Sequence, residues 1–207
     1  MNLKDQNAPR LAVVALANLA LFTAMAHGTG LLGAAAWAQQ SRLWLSLVPA
    51  ALGLVMVGIV SAQIDGTAKA RLVFWKWRDP LPGSRAFTHL AFRDSRVDVG
   101  ALRVRYGALP TIAAEQNSLW FKLYKSIENE PAVAHAHREY LFARDFHFLA
   151  TLVLIAFGAL AFTQFPSVAS AAAYVGILAV QFLATRQAAR NHGNRLVCTV
   201  LARKAAE

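Results

Sequence analysis

Apolar residues in this chain gather into four long uncharged stretches, 11–32, 43–64, 146–165 and 168–185. A helix that crosses a bilayer needs roughly 20 consecutive apolar residues, because the hydrocarbon layer offers no partner to an exposed backbone polar group. The pattern therefore predicts four spanning helices. Gln39, Gln40, Ser41 and Arg42 join the first pair, and residues 164–167 join the second, so each pair is a tight hairpin. The predicted fold is an all-α membrane protein whose helices extend into the cytoplasm. It has a hairpin over 1–64, a mostly irregular or helical segment over 65–130, a second hairpin over 131–185 and a helical tail over 186–207.

The polar positions refine this outline. Ala68, Arg71, Leu72 and Trp75 keep helical spacing after the second stretch, which predicts a helix up to Asp79-Pro80, where the proline ring disfavours helical backbone in the residue before it. Pro131 suits the first turn of a new helix, one that continues through His135, Tyr140 and Arg144 into the third span. Leu119, Leu123 and Ile127 share a side of a helix over 118–127, and Leu196, Val197, Val200 and Leu201 share a side of one in the tail. Gly193 costs that tail about 1 kcal/mol relative to alanine. Residues 80–83, Pro-Leu-Pro-Gly, read as a turn. Val97 to Tyr106 alternates loosely, as a short strand or an extended arm does.

Charge orients the spans. Thirteen of the 21 Lys and Arg residues lie between Asp65 and Asp145, and the turn between the last two stretches has none. Lys and Arg near span ends accumulate on the cytoplasmic side. Lys4 and Arg10 precede the first span, and Lys69, Arg71, Lys76 and Arg78 follow the second. Arg138 and Arg144 precede the third, Arg186 and Arg190 follow the fourth, and Arg42 stands alone on the other side. Both termini and the middle segment are expected to be cytoplasmic. Ala24-Met25-Ala26 after Lys4 and Arg10 has the form of a signal-peptide cleavage site, but the charge-free run continues to Gln40, which favours a span. The single cysteine, Cys198, lies in the predicted cytoplasmic tail and reads as a small buried apolar residue.

Candidate chemistry is sparse. Asp65-Gly66, Ala70-Arg71, Gly83, Asp94 and Asp98 resemble the signature of CDP-alcohol phosphatidyltransferases, which hold a divalent metal on clustered carboxylates. Only Asp94 and Asp98 keep the required spacing; the earlier gaps are three, eleven and ten residues. His135 and Glu139 share a helix face, but His135 and His137 point apart and no further ligand completes a set. No catalytic residue, metal site or cofactor is assigned. The basic segment is more informative. Lys76, Arg78, Arg85, Arg93, Arg96, Arg103, Arg105, Lys122 and Lys125 are interleaved with Trp75, Trp77, Phe87, Phe92, Tyr106, Trp120, Phe121 and Tyr124. Cations beside stacking surfaces suit phosphate-bearing ligands, including single-stranded nucleic acid, and arginine favours forked phosphate contacts. Arg85, Arg93, Arg96, Arg103, Arg105, Trp120, Lys122 and Lys125 are the candidate ligand contacts. Binding of anionic lipid is the other reading, strongest for Lys69 to Arg78.

In the fourth span, Ser167, Ser170, Tyr174, Gln181 and Thr185 fall on one arc at 100° per residue. Such a stripe faces protein or water, as the lining of a pore or as helix–helix hydrogen bonding. Ser170, Tyr174, Gln181 and Thr185 are the candidate pore-lining residues. Ala20, Ala24 and Gly28, and Ala172 with Gly176, recur every four residues and allow close helix approach. Four short spans enclose a water path poorly, so a pore implies a symmetric homo-oligomer, with a tetramer expected.

Residues 75–87 (Trp-Lys-Trp-Arg-Asp-Pro-Leu-Pro-Gly-Ser-Arg-Ala-Phe), 115–124 (Glu-Gln-Asn-Ser-Leu-Trp-Phe-Lys-Leu-Tyr) and 190–197 (Arg-Asn-His-Gly-Asn-Arg-Leu-Val), with the four-span plan, resemble the membrane effectors encoded beside nucleotidyltransferases in bacterial antiphage defence. The nearest likeness is the Hailong-type effector, an oligomeric channel held in check by DNA oligomers. The resemblance implies a multi-pass protein of the bacterial inner membrane that is not an enzyme. It implies a pore whose opening harms the host's membrane potential, a basic segment that senses a nucleotide or oligonucleotide, and a nucleotidyltransferase as the source of that ligand. A lipid-modifying enzyme, and a scaffold that recruits lipid or protein through the basic segment, remain the alternatives.

The topology has a direct test. Cysteines introduced beside Arg42 and beside Pro166 should react with an impermeant thiol reagent added from outside the cell, whereas labelling from outside at Ser95 or Glu207 would reverse the orientation.

Overall fold

The computed structural model describes residues 5–26, 55, 59–60 and 63–207. The predicted second span, 43–64, lies almost wholly outside them, as do the first hairpin turn, His27 and Gly28. The described elements are all helical. A 3-10 turn, Asp5–Asn7, leads into α1 (Ala8–Ala26), and α2 (Gly66–Phe74) follows. A second 3-10 turn (Pro82–Arg85) and a π turn (Ala86–Leu90) precede α3 (Val99–Tyr106) and α4 (Ala113–Ser126), and the chain ends in α5 (Pro131–Gln164) and α6 (Val168–Ala206).

Among the described residues, three helices, α1, α5 and α6, are long and apolar enough to cross a membrane. α5 has 34 residues and α6 has 39, about 51 and 58 Å at 1.5 Å per residue, against a hydrocarbon layer of ~30 Å. Both therefore outrun a bilayer, as the sequence predicted. Pro131 opens α5 where its missing N–H is harmless, and α6 joins the fourth apolar stretch and the basic tail in one helix. The chain divides into two compact units, residues 1–65 with 145–185 and residues 66–144 with 186–207.

In the first unit, Leu19 and Phe22 of α1 pack with Leu149, Val153, Phe157 and Ala161 of α5 and with Ala171, Tyr174 and Leu178 of α6. Phe22 sits at the centre, 5.1 Å edge-on to Phe157, 5.3 Å from Phe165 and 5.7 Å from Tyr174, arrangements that add about 0.5–1.5 kcal/mol per pair beyond burial. Two polar side chains of α1 bond back to their own helix. Asn18 donates to the Val14 carbonyl and Thr23 to those of Leu19 and Ala20. Val13, Leu16, Ile155, Phe162, Val180 and Leu183 stand exposed, as side chains solvated by lipid do.

The second unit is organised by one buried amide. Gln116 Oε1 accepts from the backbone N–H groups of Phe87 (3.0 Å) and Thr88 (3.1 Å) and from Thr88 Oγ1 (3.1 Å). Its Nε2 donates to the Thr111 carbonyl at 2.8 Å. The π turn is thereby fixed on α4, with Ala86, Phe87, Leu90 and Ala91 in the core and Thr88, His89, Phe92 and Arg93 outside. Gly83 lets the preceding turn lie on α4, because a Cβ there would come within 2.6 Å of Asn117 Oδ1 and 2.7 Å of Trp120 Cε3. Gly193 serves α6 similarly, since its Cβ would stand 3.0 Å from the rings of Phe74 and Tyr140.

Two expectations need correction. The strand or extended arm expected over Val97 to Tyr106 is helical from Val99. The Asp98 side chain accepts from Ala101 N at 2.9 Å, an N-cap that outweighs loose alternation with no neighbouring strand to pair with. α2 ends at Phe74 rather than at Asp79, because Trp75 turns left-handed (φ 51°) and its ring takes the Arg186 guanidinium, 3.4 Å from the ring centroid. The helix expected over 118–127 forms and begins earlier, at Ala113.

Gln116→Leu keeps the side-chain volume but strands two backbone donors and one acceptor. It should cost about 2–4 kcal/mol in denaturant unfolding of the detergent-purified protein, and Thr88→Val, which removes a single donor, about 1 kcal/mol.

Candidate anion-binding site

Arg85, His89 and Arg93 follow one another at four-residue spacing across the 3-10 and π turns that Gln116 holds. Arg190 and Asn194, also four apart, project from α6. These residues and Lys76 line one pocket of about 340 Å³, with Phe74 and Leu90 as its apolar wall. The Arg85 guanidinium lies 4.7 Å from the centroid of the Phe74 ring, which fixes its plane. Among the described residues, none of the four cations Lys76, Arg85, Arg93 and Arg190 is paired with a carboxylate, and none of the pocket's lining residues is acidic.

The electrostatics register this crowding. Burial and then the neighbouring Arg190 push the Arg85 pKa below its ordinary value. His89 is pushed below the usual histidine range by desolvation and then by Arg93, Arg85, Lys76 and Arg190. Four like charges repelling one another around an open cavity favour any anion that enters it.

A second depression of about 470 Å³ adjoins the first, sharing Leu90, Arg93 and Asn194 and adding Asp94, Arg96, Arg195 and Cys198. It is less electropositive. Arg96 Nε and Nη2 donate to the two Asp94 oxygens at 2.9 and 2.7 Å, and the Arg96 bond holds that carboxyl at about 2. Burial, then Asp94, pushes the Cys198 thiol up to about 11, and Cys198 Sγ donates to the Leu90 carbonyl at 3.7 Å. Cys198 is thus the small buried side chain the sequence suggested. Asp94 and Asp98, the carboxylates with phosphatidyltransferase spacing, are engaged with Arg96 and the α3 N-terminus, and among the described residues no three His, Cys, Asp or Glu side chains come together.

Of the eight ligand contacts expected from the sequence, the fold gathers Arg85 and Arg93 in one pocket and Arg96 in the next. The rest lie elsewhere. Arg105 Nη1 donates to the Lys204 carbonyl at 3.0 Å and lies 3.7 Å from Glu207, so it ties α3 to the end of α6. Arg103 and Lys122 are exposed and line neither depression. Lys125 pairs with Glu128 at 2.8 Å. Trp120 is buried and stacked on Tyr124, with 5.6 Å between ring centroids, so its faces are covered by protein rather than open to a base. Lys76, His89, Arg190 and Asn194 were missed as contacts. Lys76 belonged to the basic segment without being named a contact, and the four-residue spacing of Arg85, His89 and Arg93, and of Arg190 and Asn194, joins the others only once α6 is packed against the π turn.

The expected pore-lining residues belong to the first unit. Tyr174 is fully buried there and Thr185 is 7% exposed, while Ser170 and Gln181 are partly exposed. Thr185 Oγ1 meets His147 Nδ1 at 3.2 Å and donates within α6 to the Gln181 carbonyl at 2.8 Å. Ser170 and Ser167 exchange hydrogen bonds at the start of α6. Ala24 is buried in the unit, whereas Ala20, Ala172 and Gly176 are exposed. No family model, curated protein or solved structure matches the chain, so the chemistry of the pocket rests on its geometry.

Because a bound anion offsets the cations that depress His89, its titration midpoint should lie below about 6.5 in free protein and rise when the pocket is filled. Sulfate, which carries no titrating proton in this range, should bind more tightly as the pH falls through the His89 midpoint, and His89→Gln should flatten that dependence. Histidine NMR shifts and sulfate titrations read both effects.

Proposed function

We propose that this protein is an oligomeric channel of the bacterial inner membrane whose cytoplasmic unit, residues 66–144 with 186–207, binds a nucleotide or oligonucleotide. The observation that carries the reading is the convergence of Lys76, Arg85, Arg93 and Arg190, without a carboxylate among them, on one open pocket with an apolar wall. Its volume lies at the lower end of small-ligand sites. A phosphate answers the charge of the four cations. Arg195 in the adjoining depression extends the basic surface beyond what one phosphate fills, which favours an oligonucleotide over a mononucleotide.

The channel half of the reading rests on α6. One helix carries Ser170 and Gln181, then Arg190, Asn194 and Arg195, so a ligand that grips the last three acts on the helix that bears the polar stripe. With Tyr174 and Thr185 packed inside their unit, Ser170 and Gln181 are left to face the axis of a homotetramer. Both termini lie in the cytoplasm in this reading, a nucleotidyltransferase supplies the ligand, and the resemblance of residues 75–87, 115–124 and 190–197 to antiphage effectors gives the pore its use.

A labelled single-stranded oligonucleotide should bind the detergent-purified protein with an affinity that falls with salt, by ~0.7 in log–log slope per phosphate contact. Arg85→Ala and Arg190→Ala should each weaken binding and shallow that slope, while Lys122→Ala should leave both unchanged. In liposomes the ligand should change ion flux, and Gln181→Leu should alter flux without altering binding. Absence of oligonucleotide binding at low salt overturns the sensor reading.

A further inference from the structure

Lys76 is the one residue of the loop after α2 that lines the anion pocket, yet the whole loop has a specific shape. Residues 75–79 are bracketed by two left-handed non-glycine residues, Trp75 (φ 51°) and Asp79 (φ 46°). Left-handed backbone costs an L-residue roughly 1–2 kcal/mol. Here it displays apolar surface instead of hiding it: Trp77 is 84% exposed and Trp75 61%, with Lys76 and Arg78 exposed between and beside them. An indole carries one of the largest apolar surfaces of any side chain, and water gives no return for exposing two of them.

Arg186 says what covers them. Its guanidinium lies over the Trp75 ring, 3.4 Å from the centroid, and in the sequence it is the first charge after the apolar stretch that ends at Thr185. An arginine that closes an apolar span lies where hydrocarbon gives way to headgroups, and it turns its charge toward phosphate there. Tryptophan is enriched at the same depth because its ring is apolar and its N–H is not. Beside the loop, Arg71, Arg78 and Trp77 line an open depression of about 590 Å³, together with the hydroxyl residues Thr67 and Ser84, Asn117 and the single carboxylate Asp79.

We propose that the Trp75–Asp79 loop and this depression dock on the headgroups of anionic phospholipid. Trp77 enters the interface, Arg71 and Arg78 engage lipid phosphate, and the Trp75–Arg186 pair fixes the depth. Two exposed indoles distinguish this surface from the Lys76–Arg85–Arg93–Arg190 pocket, whose apolar wall is already packed. The depression and that pocket have no lining residue in common, and Lys76, which belongs to the pocket, is not one of the lipid contacts.

The full-length protein in nanodiscs of phosphatidylcholine, with and without phosphatidylglycerol, tests this. Brominated phosphatidylglycerol should quench a component of the tryptophan emission that disappears in Trp77→Phe, a change at a site too exposed to disturb folding. Quenching by brominated phosphatidylglycerol should exceed that by brominated phosphatidylcholine, and Arg71→Gln with Arg78→Gln should abolish the excess. Arg85→Ala with Arg190→Ala, which is expected to lose oligonucleotide binding, should retain it, so either proposal can fail without the other. Equal quenching of wild type and Trp77→Phe, or of the wild type by the two brominated lipids, overturns lipid docking.

Discussion

The second unit depends on the carboxamide of Gln116. A π turn leaves backbone donors at its start without intrahelical partners, and in a closely packed core each such donor costs about 1–3 kcal/mol if left alone. Gln116 satisfies Phe87 and Thr88 from a neighbouring helix while holding the Thr111 carbonyl at its own helix start. That lock turns Ala86, Phe87 and Leu90 inward, and the same rotation sends Arg85, His89 and Arg93 toward α6. The basic pocket is thus a consequence of how one amide is spent.

What separates this pocket from the rest of a strongly basic chain is compensation. The chain carries 21 Lys and Arg against 11 Asp and Glu, and several of those cations are answered locally: Arg96 by Asp94, Lys125 by Glu128, Lys204 and Arg105 by Glu207. Exposed pairs of this kind contribute little to stability, yet they remove cations from the competition for a ligand. Lys76, Arg85, Arg93 and Arg190 are left to repel one another. Only an external anion relieves that repulsion, and its effect is greatest where burial reduces solvent screening, as it does at Arg85.

The first unit solves a different problem. Side chains on its outer face need only be apolar, so Val13, Ile155 and Val180 stand exposed without penalty in lipid, while backbone and polar side chains must be satisfied within the unit. Asn18, Thr23 and Thr185 return hydrogen bonds to their own helices, and Thr185 also meets His147. Part of the polar stripe of α6 is therefore internal, since the aromatic cluster around Phe22 draws Tyr174 into the core.

The sequence by itself determined the helical class, the apolar spans of α1, α5 and α6, the start of α5 at Pro131 and the continuity of α6 into the tail. These follow from composition and local spacing, because a spanning helix satisfies its own backbone and needs no distant partner to be recognised. The burial of Cys198 was legible from its place among the apolar positions of the tail. The π turn, the left-handed exit from α2 and the helix at Val99 were not, since each is decided by a side chain that arrives from elsewhere or by a cap that overrides alternation. The candidate site was half legible: basic and aromatic residues between Asp65 and Asp145 suggested a phosphate-bearing ligand, and Arg85 and Arg93, which the fold brings into one pocket, were among those named. Only the tertiary structure removed Trp120 to the core and added Lys76, His89, Arg190 and Asn194. A charge cluster is a property of distance in space, and Arg190 is 105 residues from Arg85 along the chain.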